Sequence, residues 1–368
     1  MTRGGPTARA VGGPATALVA LIAISVARFV WPDASGTMWL AVVPVALLGI
    51  MRGFVAGLFA ALAASAVALT WVVTNDNATP LQLITYPLNF FILGGLSGYY
   101  ARGALGDYDY ARARTCSQLR HAIDHDRVGL YYQPIVRSSG ELLAVEGLAR
   151  WHDPSRGVVP PIDFIPAAES DERTLWELTL QTVRRAVKDA RELDHSLVVA
   201  VNVSPFSLRR RELPDAFSQI LSDGGLPPER IAVEVTESAI SGTDEQTVIE
   251  VLDSIRRVGV GMVAIDDFGI GHSSLARLGR LPIDTVKIDR TLIADSERPE
   301  TGAVIRGMVE LAHSVQLTVI AEGAEDKRTW DWLVEVNCDA IQGYQLSRPM
   351  PPDELPRWLE AHETAARS

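Results

Sequence analysis

Val263-Ala264-Ile265-Asp266-Asp267-Phe268-Gly269-Ile270-Gly271-His272-Ser273-Ser274-Leu275 is an apolar run of strand type that ends in two adjacent carboxylates, followed at once by a glycine-bearing turn and a helix start. Two aspartates side by side repel each other, so at a buried strand end they call for cations or shared protons. Four further apolar runs close in a similar way: Leu143-Ala144-Val145-Glu146, Val199-Ala200-Val201-Asn202, Ile231-Ala232-Val233-Glu234 and Val319-Ile320-Ala321-Glu322. In a parallel α/β barrel the carboxyl ends of the strands share one mouth, where active sites sit. Strand after strand delivering oxygen ligands to one mouth reads as a metal-type active site, not as a folding device.

Outward from this stretch, the chain after Val128 alternates strand and helix patterns, which indicates an α/β fold. Predicted strands are Leu130–Val136, Leu142–Leu148, Leu197–Val203, Ile231–Thr236, Gly261–Asp267, Thr285–Ile288, Thr318–Glu322 and Ala340–Tyr344. Helical patterns such as Leu175-Leu178-Val183-Ala186-Val187 and Val248-Leu252-Ile255 lie between most of them. Eight strands in roughly 240 residues match a TIM-like (β/α)8 barrel. An open doubly wound sheet is the rival, but no Gly-rich phosphate fingerprint follows any strand.

The first hundred residues read differently. Residues 1–13 are small and polar and are expected to be disordered. Pro14 to Val30, Met38 to Met51, Phe54 to Val73 and Leu81 to Tyr100 are apolar stretches. A helix crossing about 30 Å of hydrocarbon takes roughly 17–25 residues. A signal peptide explains one such run, not the rest. The expectation is an all-α four-helix transmembrane domain over 14–101, a linker or connecting helix over 102–127, and the barrel over 128–362. Arg3, Arg9, Arg52, Arg102, Arg112 and Arg114 cluster at one set of ends, while Asp33 and Asp76 occupy the other loops. The positive-inside rule then places the N-terminus and the barrel in the cytoplasm, at the cell membrane with lipid as a partner. Arg28 dissents and can snorkel.

The formal net charge of −11 is unevenly spread, because residues 1–100 hold four arginines against two aspartates and no lysine or glutamate. An acidic remainder argues against binding DNA or RNA polymers, which needs a basic footprint. The two cysteines, Cys116 and Cys338, have no metal spacing and imply a reducing compartment without a disulfide framework.

The residues also carry a resemblance. Glu146-Gly147-Leu148-Ala149-Arg150-Trp151 is similar to the signature of the EAL family of cyclic di-GMP phosphodiesterases, named for Glu-Ala-Leu. The likeness runs in family order through Tyr132-Gln133-Pro134-Ile135, Phe164-Ile165-Pro166, Asn202-Val203-Ser204, Glu234-Val235-Thr236-Glu237-Ser238 and Asp266-Asp267-Phe268-Gly269. It continues with Lys287-Ile288-Asp289, Ala321-Glu322-Gly323 and Gln342-Gly343-Tyr344, and spans roughly residues 117–360.

What the resemblance implies is hydrolysis of one phosphodiester of cyclic di-GMP to linear 5′-pGpG with two Mg²⁺ or Mn²⁺ ions. Glu146, Asn202, Glu234 and Asp266 would hold the first ion; Asp266, Asp267 and Glu322 would hold the second. Hard oxygen ligands of this kind suit Mg²⁺ or Mn²⁺ better than zinc. Lys287 would orient or deprotonate a water, Glu322 and Gln342 would position metal-bound or water groups, and Glu237 would pin the loop after Asp267. Arg150 resembles the family arginine that pairs with a substrate phosphate, and Gln133 and Leu148 resemble residues lining the dinucleotide site. Trp151 reads as core packing. The family also implies a homodimer through the barrel.

Three positions depart from the family. Gly147 stands where alanine is usual, and Ile270 and His272 stand where threonine and tyrosine are usual. The alternative is a catalytically silent cyclic di-GMP receptor signalling through its membrane part; silent members generally lose metal ligands, and all are retained here. A solute pathway through the helices would be marked by intramembrane acids or bases, for which Arg28 is the one candidate. No Gly-Gly-Asp-Glu-Phe cyclase signature occurs.

Overall fold

The parallel barrel strands form where apolar residues run nearly unbroken, because strands covered on both faces tolerate little polar alternation along most of their length. The computed structural model describes residues 110–193, 197–240, 245–269 and 279–366, together with Leu62, Ser65, Ala66 and Ile92. The chain divides into two units, Met1–Ala111 and Arg112–Ser368. The expected four-helix transmembrane segment over 14–101 lies outside the described residues apart from those four isolated positions. Among the described residues no helix is long and apolar enough to cross a membrane.

In the second unit the strands are β1 (Val128–Arg137), β2 (Leu142–Asp153), β3 (Gly157–Val159), β4 (Val199–Asn202), β5 (Ile231–Thr236), β6 (Met262–Phe268), β7 (Thr285–Ile288), β8 (Thr318–Glu322) and β9 (Ala340–Gln342). They are ordered β1-β9-β8-β7-β6-β5-β4-β2, and pairing of β1 with β2 closes the ring into an eight-stranded barrel. β3 is a short antiparallel addition to β2.

One expectation is corrected here. The barrel is not a uniform (β/α)8 array, because β1 runs antiparallel to both β2 and β9. Only residues 138–141 connect β1 to β2. A parallel crossover takes about a dozen residues or more, so a link this short dictates a hairpin. The remaining neighbours from β2 through β9 are parallel, as expected.

Between these strands lie amphipathic helices. Glu172–Glu192 starts at Asp171, whose carboxylate accepts from the Thr174 amide, and buries Leu175, Leu178, Thr179, Thr182, Val183, Ala186, Val187 and Ala190 at three- and four-residue steps. Such faces build the larger core between the barrel and its helices. The barrel interior is a separate, thinner core of Ile135, Ala144, Ala200, Ala232, Met262, Ile320 and Ala340. Alanine on several strands keeps that interior narrow. Two residues further along the same strand faces come Gln133, Glu146, Asn202, Glu234, Glu322 and Gln342. The period of two thus puts a polar layer directly on an apolar floor.

The helix over residues 110–124 is no free tether. From Arg112 onward it belongs to the barrel unit. Its Leu119 and Ala122 pack with Trp151, Phe164, Leu175 and Leu178. Arg120 Nη2 lies 2.8 Å from Asp171 Oδ2, and Cys116 Sγ donates to Thr174 Oγ1 at 3.4 Å. Both cysteines are buried and unpaired. Burial, with the nearby Asp339 charge, pushes the Cys338 thiol up to about 12.

Candidate active site

Lys287 of β7 is fully buried, and four carboxylates from four strands converge on its ammonium. Its Nζ lies 2.5 Å from Glu322 Oε1, 2.9 Å from Glu234 Oε2, 3.3 Å from Glu146 Oε2 and 3.6 Å from Asp266 Oδ1. Asn202 Nδ2 donates to Glu146 Oε1 at 2.7 Å, and Gln342 Nε2 donates to Glu146 Oε2 at 2.8 Å. Gln342 Nε2 also reaches Gln133 Oε1 at 3.2 Å, and Gln133 Nε2 donates to the Ser347 carbonyl at 3.1 Å. Seven strands therefore feed one hydrogen-bonded layer: β1, β2, β4, β5, β7, β8 and β9, with Asp266 adding β6.

The charges in this layer do not balance. Burial opposes ionisation of every carboxylate there. For Glu146 that penalty is overcome by Lys287 and by the Gln342 and Asn202 amides, which hold it below the usual carboxylate range. Glu234 goes the other way: burial and the Glu146 charge push it well above that range, despite the same ammonium. The hydrogen bonds explain the split, since Glu234 Oε1 is buried with no partner while both Glu146 oxygens are satisfied. Glu322 is pushed up to about 8 by burial, against the pull of Lys287. Lys287 itself is raised well above its ordinary value, because Asp266, Glu146, Glu234 and Glu322 outweigh its burial.

The Asp-Asp pair owes its geometry to a bulge. In a regular strand consecutive side chains face opposite ways. Here the β6–β7 register slips, with Ile265 opposite Val286 but Phe268 opposite Ile288, so β6 carries one extra residue. Asp267 takes up the excess at φ 57, and its amide donates to Asp266 Oδ1 at 2.9 Å. Its carboxyl is pushed up to about 6 by partial burial, by Asp266 and by Asp289.

Asp289 is the residue to which sequence reasoning gave no role. It is buried, caps the helix Arg290–Ala294 by accepting from the Thr291 amide at 2.6 Å, and faces Asp267. The signal was present in Lys287-Ile288-Asp289, since positions 287 and 289 share a strand face.

Glu237 stands apart from the Lys287 cluster. Its Oε2 accepts from the Gly269 amide at 3.1 Å and so ties the end of β5 to the residue after β6. Gly269 has φ +102, which favours glycine, and a Cβ there would have to displace the Leu292 side chain, whose Cδ1 would lie 2.6 Å away. Ile270 and His272 lie outside the described residues.

Leu148 and Arg150 follow Glu146 on the same face of β2, further toward the rim, and neither touches the ammonium. Arg150 donates from Nη1 to the Ala149 carbonyl at 2.9 Å and lies over the Tyr131 ring, 5.2 Å from Cζ to centroid. Trp151, on the opposite face, is buried and meets Phe164 edge-on at 6.2 Å. At Gly147 an added methyl would lie 3.1 Å from Leu130 Cδ1 and 3.3 Å from the Ala200 carbonyl. Loss of the usual alanine methyl leaves β1, β2 and β4 close together and Glu146 in register.

Among the described residues no three acidic, histidine or cysteine groups close round a common ion position by themselves. They converge on the ammonium instead. The donor set nonetheless fits hard divalent cations: acidic oxygens in excess of cationic charge, one carboxamide oxygen at Asn202, and a buried glutamate oxygen with no partner. A cavity of about 630 Å³ beside Arg306, Glu310 and Trp332 is elsewhere and lacks this chemistry.

The EAL domain family matches residues 117–349. The chain is 38% identical over 251 residues to cyclic di-GMP phosphodiesterase NbdA of Pseudomonas aeruginosa, covering 67% of this chain and 32% of that protein. It is 34% identical over 249 residues to cyclic di-GMP phosphodiesterase PdeR of Escherichia coli, covering 67% and 37%. The solved structure of PaMucR phosphodiesterase in complex with c-di-GMP superposes with a TM-score of 0.62 at 31% identity, covering 66% of this chain and 99% of that one. The chain spans about a third of the length of the curated relatives it matches.

Proposed function

Because the chain belongs to the EAL domain family, we propose that it hydrolyses cyclic di-GMP to linear 5′-pGpG. The observation that carries this reading is the layer at the barrel mouth, where Glu146, Asn202, Glu234, Asp266, Lys287, Glu322 and Gln342 come together. A pair of Mg²⁺ or Mn²⁺ ions, held by Glu146, Asn202, Glu234 and Asp266 and by Asp266, Asp267 and Glu322, would supply water activation and neutralisation of phosphate charge.

The chain's own groups divide the remaining work. Lys287 holds its proton among its carboxylates, so it orients groups at the mouth as a hydrogen-bond donor. Gln342 fixes the Glu146 carboxylate from the β9 side and Asn202 fixes it from the β4 side. Glu237 anchors the residue at which the loop after Asp267 begins. Arg150 keeps guanidinium N–H groups free of partners among the described residues and pairs with a substrate phosphate, with Gln133 and Leu148 lining the dinucleotide.

Incubation of the full chain with cyclic di-GMP and Mn²⁺, followed by chromatography, is expected to give pGpG. EDTA should abolish the reaction, Mg²⁺ or Mn²⁺ should restore it, and Ca²⁺ should serve poorly because its larger, looser coordination shell does not suit closely spaced ions. Full activity in chelator would mean that the carboxylate layer has been misread.

The support for membrane anchoring is the set of apolar stretches before residue 101 and the arginines at their ends. Alkaline phosphatase fused after Ser368 is then expected to be inactive and the same reporter near Asp76 active; the reverse pattern would sink the orientation. A homodimer through the barrel is proposed on family likeness alone.

A further inference from the structure

We propose that Tyr131 is a positioning residue that presents the Arg150 guanidinium to a phosphate of the substrate. The proposal deepens the cyclic di-GMP reading and rests on it. Its origin is the register of the β1–β2 hairpin, which pairs Gly129 with Arg150, Tyr131 with Leu148 and Gln133 with Glu146. Directly paired residues share a face of the sheet, so all six project to the side that carries Glu146.

Opposite a glycine, Arg150 has no cross-strand side chain to lean on. Diagonal neighbours are within reach of a long side chain and an aromatic ring. Arg150 accordingly lies along the strand over Tyr131, with Cζ 5.2 Å from the ring centroid, inside the roughly 6 Å range of a cation–π contact. His152 supports the ring from a second side, with centroids 6.4 Å apart and planes tilted by 48°. A Cβ at Gly129 would make an ordinary van der Waals contact with His152 Nε2 at 3.4 Å, so His152 borders that slot.

Arg150 has few other partners among the described residues. Among the described residues it forms no ion pair, and its one hydrogen bond runs from Nη1 to the Ala149 carbonyl at 2.9 Å. Nε and Nη2 are left as donors for a planar, two-point grip on phosphate. A four-torsion side chain held by one backbone bond would be spread over several rotamers; the ring removes that freedom before substrate arrives. The Tyr131 hydroxyl makes no hydrogen bond among the described residues, so the aromatic face, not the oxygen, carries the role.

The test uses the full chain and cyclic di-GMP, with dissociation constants taken in Ca²⁺ and kcat and KM in Mn²⁺. Tyr131→Leu is expected to raise Kd and KM roughly three- to thirty-fold, the range of a cation–π contact, while kcat changes less than about twofold. Tyr131→Phe, which keeps the ring, should recover most of the lost affinity. In an Arg150→Ala background, Tyr131→Leu should add less than about twofold, because the group it positions is gone. An unchanged Kd for Tyr131→Leu, or an equal loss with and without Arg150, overturns the proposal. Should Tyr131→Leu unfold, Tyr131→Met carries the same comparison. Wild-type protein that binds no cyclic di-GMP overturns the functional reading and this proposal with it; binding that ignores Tyr131 overturns only the latter.

Discussion

Lys287→Met is expected to cost roughly 3–5 kcal/mol of folding stability, the cost of breaking a buried ion pair from one side. The side chain is fully buried, and four carboxylates lie within 3.6 Å of its ammonium. Methionine fills similar space, so little of the effect is lost packing. What is left behind is repulsion among Glu146, Glu234, Asp266 and Glu322, with Glu234 already lacking a partner at Oε1. Two controls identify the cause. Mg²⁺ or Mn²⁺ should restore part of the loss by mass action, and EDTA should remove that gain. Acid should also help, and the sign can be worked out. Glu322 is raised to about 8 and Glu234 well above its ordinary value even with the ammonium present. A carboxyl whose folded pKa is raised binds more protons folded than unfolded, so stability grows as pH falls through the folded value. Without the ammonium both carboxyls rise further, so the variant gains stability at higher pH than wild type and the deficit should shrink as pH falls toward about 8 in urea titrations run in EDTA. A loss under about 1 kcal/mol, or a deficit that grows toward acid, would show that the ammonium does not hold the layer together.

The same layer was legible in the sequence because strand geometry has a period of two. Ala144 and Glu146, Ala200 and Asn202, and Ala232 and Glu234 are each one step apart on a strand face, so an apolar run ending in an acid or amide marks floor and mouth at once. The direction of β1 was harder to see, although the link over residues 138–141 held the answer in its length. β3 was missed because Gly157–Val159 is too short to show a period. The bulge at Asp267 cannot be read from an alternation that it interrupts. The docking of the helix over residues 110–124 depends on Trp151 and Phe164, far along the chain, so the sequence left linker and connecting helix open over 102–127 and named no partner.

Glu146→Ala and Arg150→Ala should separate chemistry from binding, because the two residues sit on one face of β2 yet touch different things. Glu146 belongs to the carboxylate layer, where it accepts from Asn202, Gln342 and Lys287. Its loss removes a proposed metal ligand and several kcal/mol of transition-state stabilisation, so turnover should fall on the order of a thousandfold or more. Binding should persist within about threefold, since the Arg150 guanidinium is untouched. Arg150→Ala should do the reverse. A charge-assisted hydrogen bond is worth about 1.5–3 kcal/mol, so Kd should rise roughly ten- to a hundredfold with a smaller change in kcat. Glu146→Ala also strips acceptors from Asn202 and Gln342, so a loss of activity there could reflect a loosened barrel. Asp267→Asn avoids that confusion. The position is at φ 57, a conformation asparagine tolerates better than most residues, and the change deletes one charge without altering shape. It should match Glu146→Ala in lost turnover while its urea midpoint stays at or above the wild-type value, since the deleted charge is one that Asp266 and Asp289 repel. If wild-type protein binds cyclic di-GMP tightly yet yields no pGpG in saturating Mn²⁺, these variants have nothing to lose, and the chain is a receptor. The departures at Ile270 and His272 would then be the first positions to revert, to threonine and tyrosine, since they follow Gly269, whose amide Glu237 holds.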